Sequence, residues 1–239
     1  MKISLVIPAY NEEGYIGQCI SSVLKNAPGK FHEIIVVDNA SSDKTNDIAS
    51  KFSGVRVVHE PNKGLTRARQ RGLEEASGDI IAYIDADSLL PDGWVSRLEK
   101  IYSKNNKIVC VSGPYRYYDG PWWKNQIMHG IWWLVGPTTY RMVGFMVLGG
   151  NFAAKRQALI DMGGFDKTID FFGEDTDIAR RLNKHGKVLF NMSFFIYSSS
   201  RRYISDGLIK TSWVYVINFL WPVIFHKPFT KKYKDIRLK

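Results

Sequence analysis

Short apolar runs alternate with longer segments of helical periodicity over the first hundred residues. β-prone apolar residues fill positions 3–9, 33–38, 55–59 and 79–85. Runs of this length indicate strands, and the runs at 33–38 and 79–85 are typical of strands that are buried on both faces. The segments between them carry apolar residues three and four positions apart, which is typical of amphipathic helices. We predict helices from Asn11 to about Asn26, from Ser42 or Asp43, over 64–76, and from Pro91 to about Tyr102.

This alternation of strands and helices predicts an α/β fold. Connections of this kind are right-handed crossovers, and they generate a mainly parallel sheet with helices on its faces. The 239 residues suffice for one substantial domain with an appendage. We predict one domain over 1–205, with a first half at 1–104 and a second half at 105–205 that contains an apolar insert at 121–148, followed by a basic amphipathic segment at 206–239.

Acidic and polar side chains follow each predicted strand where it ends. Glu12, Asp38, Glu60 and the pair Asp85 and Asp87 come after the first, second, third and fourth strands. The carboxyl ends of parallel strands share one edge, where open α/β sheets bind ligands. Asp85 and Asp87 alternate to the same side, and two hard carboxylates suit a divalent cation such as Mg²⁺ or Mn²⁺. The alternative is that the pair caps the following helix.

The glycine-rich phosphate-binding motifs are absent from the sequence. No G-x-G-x-x-G follows the first strand, and no G-x-x-x-x-G-K-[ST] occurs anywhere. A nucleotide bound at this edge would therefore depend on carboxylates for its sugar and base and on a cation for its phosphates.

Four motifs in order, 6–12, 36–45, 62–64 and 85–87, resemble the nucleotide-binding half of an inverting family-2 glycosyltransferase with the GT-A fold. The resemblance continues through 149–153 and 173–177 and so covers roughly residues 3–200. It implies a nucleotide-diphosphate sugar donor, a divalent cation, and transfer to an acceptor hydroxyl or phosphate.

The resemblance also implies roles for individual residues around the donor. It places Pro8, Tyr10 and Glu12 around the base and ribose, and Asp38 as an acceptor from the base. Lys63 would reach phosphate, and Arg69 would lie near the Asp85 end of the sheet. Solvated positions on the helix are expected for Arg67 and Arg71, which share a different face.

The metal site implied by the resemblance centres on Asp87, with Asp85 nearer the ribose or reaching the cation through water. A histidine that the family often adds late in the domain is missing, because Tyr197-Ser198-Ser199-Ser200 precedes Arg201 and Arg202. Those two arginines could neutralise the departing diphosphate.

The acidic pair Glu174 and Asp175 begins a predicted helix with Ile178 and Leu182 on its inner face. The resemblance implies that Asp175 is the general base and that Glu174 binds the acceptor or substitutes for the base. Composition alone would favour two acids that interact with the helix dipole.

Two segments rich in apolar residues indicate that the protein works at a membrane surface. Residues 121–148 are rich in Trp, Met and aliphatic residues, and 213–225 precede a lysine-rich tail at 231–234. Tryptophans beside lysines are typical of interfacial helices on anionic lipid. We predict a cytoplasmic protein associated peripherally with the cytoplasmic face of a membrane, with a lipid-linked or glycan acceptor. Alternatively, the two segments pack on each other and cover the edge of the sheet.

The net charge and the two cysteines bear on the possible partners and on the compartment in which the protein works. The formal net charge of +10 would also suit nucleic acid, but the basic residues are scattered and no recognition module is present, so we predict no nucleic-acid partner. Cys19 and Cys110 have no metal-type spacing and are expected to be buried thiols in a reducing compartment. Met1-Lys2 leads directly into a strand, and we expect no secretory signal.

Two other functions remain open from the sequence. A catalytically silent nucleotide-sugar-binding module would be expected to lose an acid, yet Asp85, Asp87 and Asp175 are all present. A sugar nucleotidyltransferase would need a glycine-rich basic loop after the first strand, where this chain has Tyr10-Asn11-Glu12-Glu13. The choice of UDP or GDP, the sugar, the acceptor and the oligomeric state are not specified by the sequence.

Overall fold

The computed structural model describes residues 1–169, 173–207 and 217. The strands are β1 (Ile3–Ala9), β2 (Glu33–Asp38), β3 (Val55–His59), β4 (Ile80–Ile84), β5 (Ser88–Leu89), β6 (Ile108–Ser112), β7 (Tyr115–Tyr117), β8 (Asn151–Lys155), β9 (Lys187–Phe190) and β10 (Ile196–Ser198). The helices are α1 (Ile16–Asn26), α2 (Thr45–Ala49), α3 (Leu65–Glu75), α4 (Trp94–Lys104), α5 (Trp122–Val143), α6 (Arg156–Asp161), α7 (Glu174–Leu182) and α8 (Arg201–Asp206).

A seven-stranded sheet in the order β3-β2-β1-β4-β8-β6-β9 forms the centre of the molecule. The pairings among β1 to β4 and between β6 and β9 are parallel, whereas β8 runs antiparallel to both β4 and β6. A smaller sheet in the order β5-β10-β7 lies in the later part of the chain. The predicted α/β fold with a mixed, mainly parallel sheet is confirmed.

Both faces of the large sheet are covered at its centre, which explains why strands such as β1 and β4 are continuous apolar runs. Every residue of β4 is buried. One face packs against α1 and α4 through Ile20, Trp94 and Leu98, and the other packs against α3, α6 and α7 through side chains such as Leu73 and Ile178. Burial of each such side chain contributes about 1.5–3 kcal/mol to folding.

Two predicted helix starts are wrong, and tertiary contacts explain both. Helix α1 begins at Ile16 rather than Asn11, because Asn11 adopts a left-handed conformation with φ 50° and its side-chain oxygen accepts the N–H of Ser42. Helix α4 begins at Trp94 rather than Pro91, because the preceding segment pairs with β10 as β5 and Gly93 turns the chain with φ 69°.

The observed start of α2 is close to the predicted one. Helix α2 begins at Thr45, two residues beyond Asp43, whose carboxylate accepts the backbone N–H groups of Thr45 and Glu13. Asp43 thus binds the start of α2 to the loop after β1.

The apolar segment at 121–148 contains one continuous helix, α5, that runs through Pro137. On one face, Trp132 and Tyr140 pack against Phe190, Met146 and Leu148. Other apolar side chains of α5 are open to solvent, since Trp122, Trp133, Leu134 and Met142 are between 70% and 82% exposed. Within the described ranges, no helix is both long and apolar enough to cross a membrane.

The other half of the membrane prediction falls on 213–225 and 231–234, which lie outside the described residues except for residue 217. Whether α5 packs against that segment therefore stays a prediction. The same holds for the boundary at 205/206 and for the division of the domain at residue 104.

Candidate active site

The carboxyl ends of β1, β2 and β4 meet the amino end of β8 at one edge of the large sheet. Antiparallel pairing opposes Ile84 to Asn151, so Gly149 and Gly150, just before β8, lie beside the acids that follow β4. A Cβ atom on Gly150 would lie 2.2 Å from Asp85 Oδ2, and one on Gly149 would lie 2.3 Å from Asp175 Oδ1. The two glycines therefore pack directly between the acid after β4 and the acid on α7.

The guanidinium of Arg69 lies close to both of those acids. Its side chain is 1% exposed, and Nη1 forms an ion pair with Glu174. Nη1 also lies 4.0 Å from Asp175 Oδ1, and Nη2 lies 3.9 Å from Asp85 Oδ1. The predicted position of Arg69 near Asp85 agrees with these distances, whereas its contact with nucleotide stays a prediction.

Burial and neighbouring charges together determine the protonation preferences of Arg69 and Glu174. Burial opposes the charged form of Arg69, but the nearby carboxylates of Glu174, Asp175 and Asp85 raise its pKa, so it stays a cation. Burial raises the pKa of Glu174 well above its ordinary value; Asp175 adds to the rise and Arg69 opposes it. The neutral form of Glu174 is therefore favoured far more than that of an exposed glutamate.

Asp175 lies in the first turn of α7, directly after Glu174, as the sequence predicted. Ile178 and Leu182 are buried beneath it. The Asp175 side chain is 34% exposed, and its buried Oδ1 accepts no hydrogen bond from any side chain or backbone group in the described ranges. An accessible carboxylate in this position can accept a proton from a hydroxyl group.

A second cluster joins three residues that the sequence assigned to different roles. Arg201 donates hydrogen bonds to both carboxylate oxygens of Glu12, at 2.8 and 2.6 Å, and its Nη2 lies 2.9 Å from Asp87 Oδ2. The guanidinium also lies 4.5 Å from the centroid of the Tyr15 ring. Glu12, predicted for the nucleoside, and Asp87, predicted for the metal, are thus bridged by one of the two arginines predicted for the diphosphate.

The remaining predicted nucleoside residues lie around the ends of β1 and β2. Pro8 and Asp38 are buried, and Asp38 Oδ2 lies 3.3 Å from His59 Nδ1. Lys63 Nζ lies 3.9 Å from the Tyr10 ring centroid. Arg202 follows Arg201 in α8. Their predicted contacts with a nucleotide stay predictions.

Several polar residues at this edge were missed by the sequence analysis. Asp119 accepts hydrogen bonds from Ser199 Oγ at 2.6 Å and from the N–H of Ser200 at 2.5 Å, which fixes the start of α8. Tyr115 OH accepts the N–H of Gly150. His59 was also missed, although its position at the end of β3, opposite Asp38, follows from the strand register.

The acids of this edge fit a divalent cation held in part by a substrate. No three His, Cys, Asp or Glu side chains within 1–169 and 173–207 lie close enough to form a metal site by themselves. Asp85 and Asp87 supply two partly exposed carboxylates, with side chains 38% and 13% exposed. Mg²⁺ is usually bound by one or two carboxylates together with water and substrate phosphates, which matches this donor set.

Solved structures share this architecture. A mannosyltransferase from Pyrobaculum calidifontis, in complex with GDP-Man and Mn²⁺, aligns with a TM-score of 0.70 at 17% identity, over 93% of this chain and 64% of that one. Glucosyl-3-phosphoglycerate synthase from Mycobacterium tuberculosis, in complex with Mn²⁺, UDP-glucose and phosphoglyceric acid, aligns with a TM-score of 0.59 at 26% identity, over 93% and 79%. The fold is therefore that of the GT-A glycosyltransferases.

Curated sequences and a family profile agree with this fold. The dolichol-phosphate mannosyltransferase of Pyrococcus furiosus is 33% identical over 119 residues, 48% of this chain and 34% of that protein. This chain spans less than half the length of the curated relatives it matches. The profile described as Glycosyl transferase family 2 matches residues 4–163. Because that match covers more than half of the chain, the protein belongs to glycosyl transferase family 2.

Proposed function

We propose that this protein transfers a sugar from a nucleotide-diphosphate sugar, UDP- or GDP-linked, to a hydroxyl or phosphate oxygen of an acceptor, with inversion at the anomeric carbon. The observation that carries the proposal is the cluster around Arg69, which brings Asp85, after β4, and Asp175, on α7, to within 4.0 Å of one guanidinium. A donor held at the first acid would thus lie close to a base on the second. The donors and Mn²⁺ named for the two aligned structures support the same donor class.

The proposed donor site combines the residues at the ends of the first strands. Asp38, Tyr10 and Glu12 would contact the nucleoside, while Lys63 would contact phosphate. Asp87, with Asp85, would hold Mg²⁺ or Mn²⁺. The bound cation supplies positive charge that offsets the diphosphate and makes it a better leaving group.

The proposed chemistry is a single displacement. The carboxylate of Asp175 removes the proton from the acceptor hydroxyl, and the acceptor oxygen forms a bond to the anomeric carbon. The bond between that carbon and the diphosphate oxygen breaks in the same step, and the diphosphate leaves with the electron pair. Arg69 keeps Asp175 and Glu174 in place, and Glu174 binds the acceptor or substitutes for the base.

The decisive comparison is between Asp175→Asn and Asp87→Asn. Asp175→Asn should keep the affinity for nucleotide and cation while transfer falls by about 10²–10⁴-fold, the usual loss when a general base is removed. Asp87→Asn should weaken the nucleotide–cation complex itself. Binding is measured by calorimetry with UDP and GDP plus Mn²⁺, and slow hydrolysis of a panel of nucleotide sugars measures the chemistry. Equal losses of binding in both variants would contradict the assigned roles.

We also propose a lipid-linked or glycan acceptor, reached from the cytoplasmic face of an anionic membrane. The support is the set of exposed apolar side chains on α5, namely Trp122, Trp133, Leu134 and Met142, together with the similarity to an archaeal dolichol-phosphate mannosyltransferase. A surface of exposed tryptophans on a basic protein suits the lipid interface.

Flotation with vesicles containing anionic lipid tests this part separately. The pair Trp133→Ser with Leu134→Ser should reduce the bound fraction several-fold, because each apolar side chain contributes about 1.5–3 kcal/mol when it leaves water. Ile160→Ser is the matched control, since Ile160 is an exposed apolar residue on α6. Unchanged flotation of the α5 variant, or an equal loss in the control, would refute the membrane proposal.

A further inference from the structure

Arg201 contacts two acids that come from distant parts of the chain. Its hydrogen bonds to Glu12 link residues 189 positions apart, and Asp87 lies after β4. The side chain is 20% exposed, and those of Glu12 and Asp87 are 2% and 13% exposed. Charge-assisted contacts of this length between largely buried groups are stronger than surface ion pairs.

The geometry leaves Arg201 in the place where a cation would bind Asp87. Its Nη2 lies 2.9 Å from Asp87 Oδ2, whereas a divalent cation would bind a carboxylate oxygen at about 2.0–2.6 Å. Two positive groups on one carboxylate oxygen repel each other strongly at low dielectric. A guanidinium stays protonated in proteins, so Arg201 keeps its positive charge beside Asp87.

We propose that Arg201 is an internal competitor of the divalent cation at Asp87, so that cation binding must first break the Arg201–Asp87 contact. This inference rests on the proposed function, because it concerns the cation of the same site. It makes Arg201 a positioning residue that sets the cation affinity, and it predicts weak binding of the cation alone. A guanidinium released from Asp87 keeps its two hydrogen bonds to Glu12 and so stays beside the donor site.

The hydrogen bonds that hold the start of α8 also affect how strongly Arg201 competes with the cation. Asp119 accepts hydrogen bonds from Ser199 Oγ and from the N–H of Ser200, the two residues that precede Arg201. Loosening this anchor gives Arg201 more freedom without removing its charge. Asp119→Asn should therefore shift the cation affinity in the same direction as removal of the guanidinium, but less.

The test measures binding of Mn²⁺ alone, without nucleotide, to the full chain by calorimetry or by the loss of the free-ion EPR signal. Arg201→Gln should bind Mn²⁺ about tenfold more tightly than the unaltered protein, a change of about 1.4 kcal/mol, because the guanidinium no longer competes for Asp87. Arg71→Gln is the matched control, because Arg71 is an exposed arginine paired with Glu75 on α3. Its Mn²⁺ affinity should not change.

Unchanged or weaker Mn²⁺ binding by Arg201→Gln, or an equal increase in Arg71→Gln, would overturn the inference. If Arg201→Gln fails to fold, Asp119→Asn decides: an affinity between those of the unaltered protein and a tenfold tighter site supports the competition, and no increase refutes it. Nucleotide-sugar hydrolysis by the unaltered protein is scored in parallel. Hydrolysis without the Mn²⁺ effect rejects the inference alone, whereas absence of hydrolysis and of nucleotide binding rejects the proposed function.

Discussion

Gly149 packs against the charged groups of Asp175, Arg69 and Glu174. A methyl group there would lie 2.3 Å from Asp175 Oδ1, 2.4 Å from Arg69 Nη2 and 2.7 Å from Glu174 Oε1. These contacts are too close for any carbon atom, and the three charged groups would have to move apart. The position therefore requires glycine because of close approach rather than because of its backbone angles.

Gly149→Ala should lower the transfer rate by about a hundredfold, since a displacement of about 1 Å at reacting groups costs that much. The rate of donor hydrolysis and transfer is the measurement. Gly17→Ala serves as the control, because a Cβ there would meet only Ile48 Cγ2 at an ordinary 3.5 Å. A Gly149→Ala protein with full activity would contradict the tight packing of this cluster.

Arg69 should matter for stability as well as for the position of the base. Arg69→Met leaves Glu174, Asp175 and Asp85 without the buried cation that contacts all three, and we expect a loss of about 3–5 kcal/mol in the free energy of unfolding. Urea denaturation measures it. Arg71→Met, on the same helix, removes an exposed pair with Glu75 and should cost about 1 kcal/mol or less. Similar losses in the two variants would show that Arg69 is not a buried ion-pair centre.

At the scale of single residues, the acids of the site could be predicted from the sequence, but not all of the residues that contact them. Helix periodicity separated Arg69 from Arg67 and Arg71, and the motifs identified Asp85, Asp87 and Asp175. The contacts of Arg201 with Glu12 could not be predicted, because they join residues 189 positions apart and periodicity carries only local information.

At the scale of elements, Glu33 ties three strands of the parallel sheet together. Its carboxylate accepts hydrogen bonds from Ser4 Oγ and from the N–H and Oγ of Ser77, and it pairs with Arg56 at 3.1 Å. Burial opposes ionisation, but these hydrogen bonds outweigh it and lower the pKa of Glu33 from 4.5 to about 2. The folded state therefore binds this proton more weakly than the unfolded state does.

The stability that Glu33 contributes should be fully present above pH 4.5 and lost as the pH falls towards 2. Glu33→Gln should lower stability at neutral pH and flatten its decline below pH 4.5. Urea denaturation at a series of pH values from neutral to about 2.5 measures this. Glu99→Gln, at an exposed position on α4, should keep the full decline, and an unchanged acid profile for Glu33→Gln would exclude the assigned bonds.

Strands were easier to predict than the starts of helices. The positions of β1, β2 and β4 follow from apolar runs that depend on burial on both faces, whereas β3 lies at the edge of the sheet with Arg56 and His59 exposed. The starts of α1 and α4 depend instead on Asn11 bonding to Ser42 and on β5 pairing with β10. These are tertiary contacts, and they override the local capping preferences of Asn11 and Pro91.

At the scale of the whole molecule, a bound donor should stabilise the fold as one unit. UDP or GDP with Mn²⁺ at a hundred times its dissociation constant should add about 2.7 kcal/mol to the free energy of unfolding. Thermal denaturation with and without EDTA measures it, and Asp87→Asn should lose most of the effect. Equal stabilisation by nucleotide in EDTA would show that the cation takes no part in binding.

The orientation of β8 is the feature of the whole sheet that the sequence did not specify. Its five residues, Asn151–Lys155, read as a strand of either direction, and the direction follows only from pairing with β4 and β6. The mainly parallel character was predictable, because it depends on strands and helices that alternate locally.

Because β8 runs against its neighbours, the stretch that contains α5 leaves from and returns to the same rim of the sheet. Helix α5 is thus joined to the large sheet at a single edge, where Trp132 and Tyr140 pack against Phe190. A graft that replaces α5 with the corresponding helix of a relative and keeps this contact should leave Asp85 in place, because the pairing of β4 with β8 is untouched.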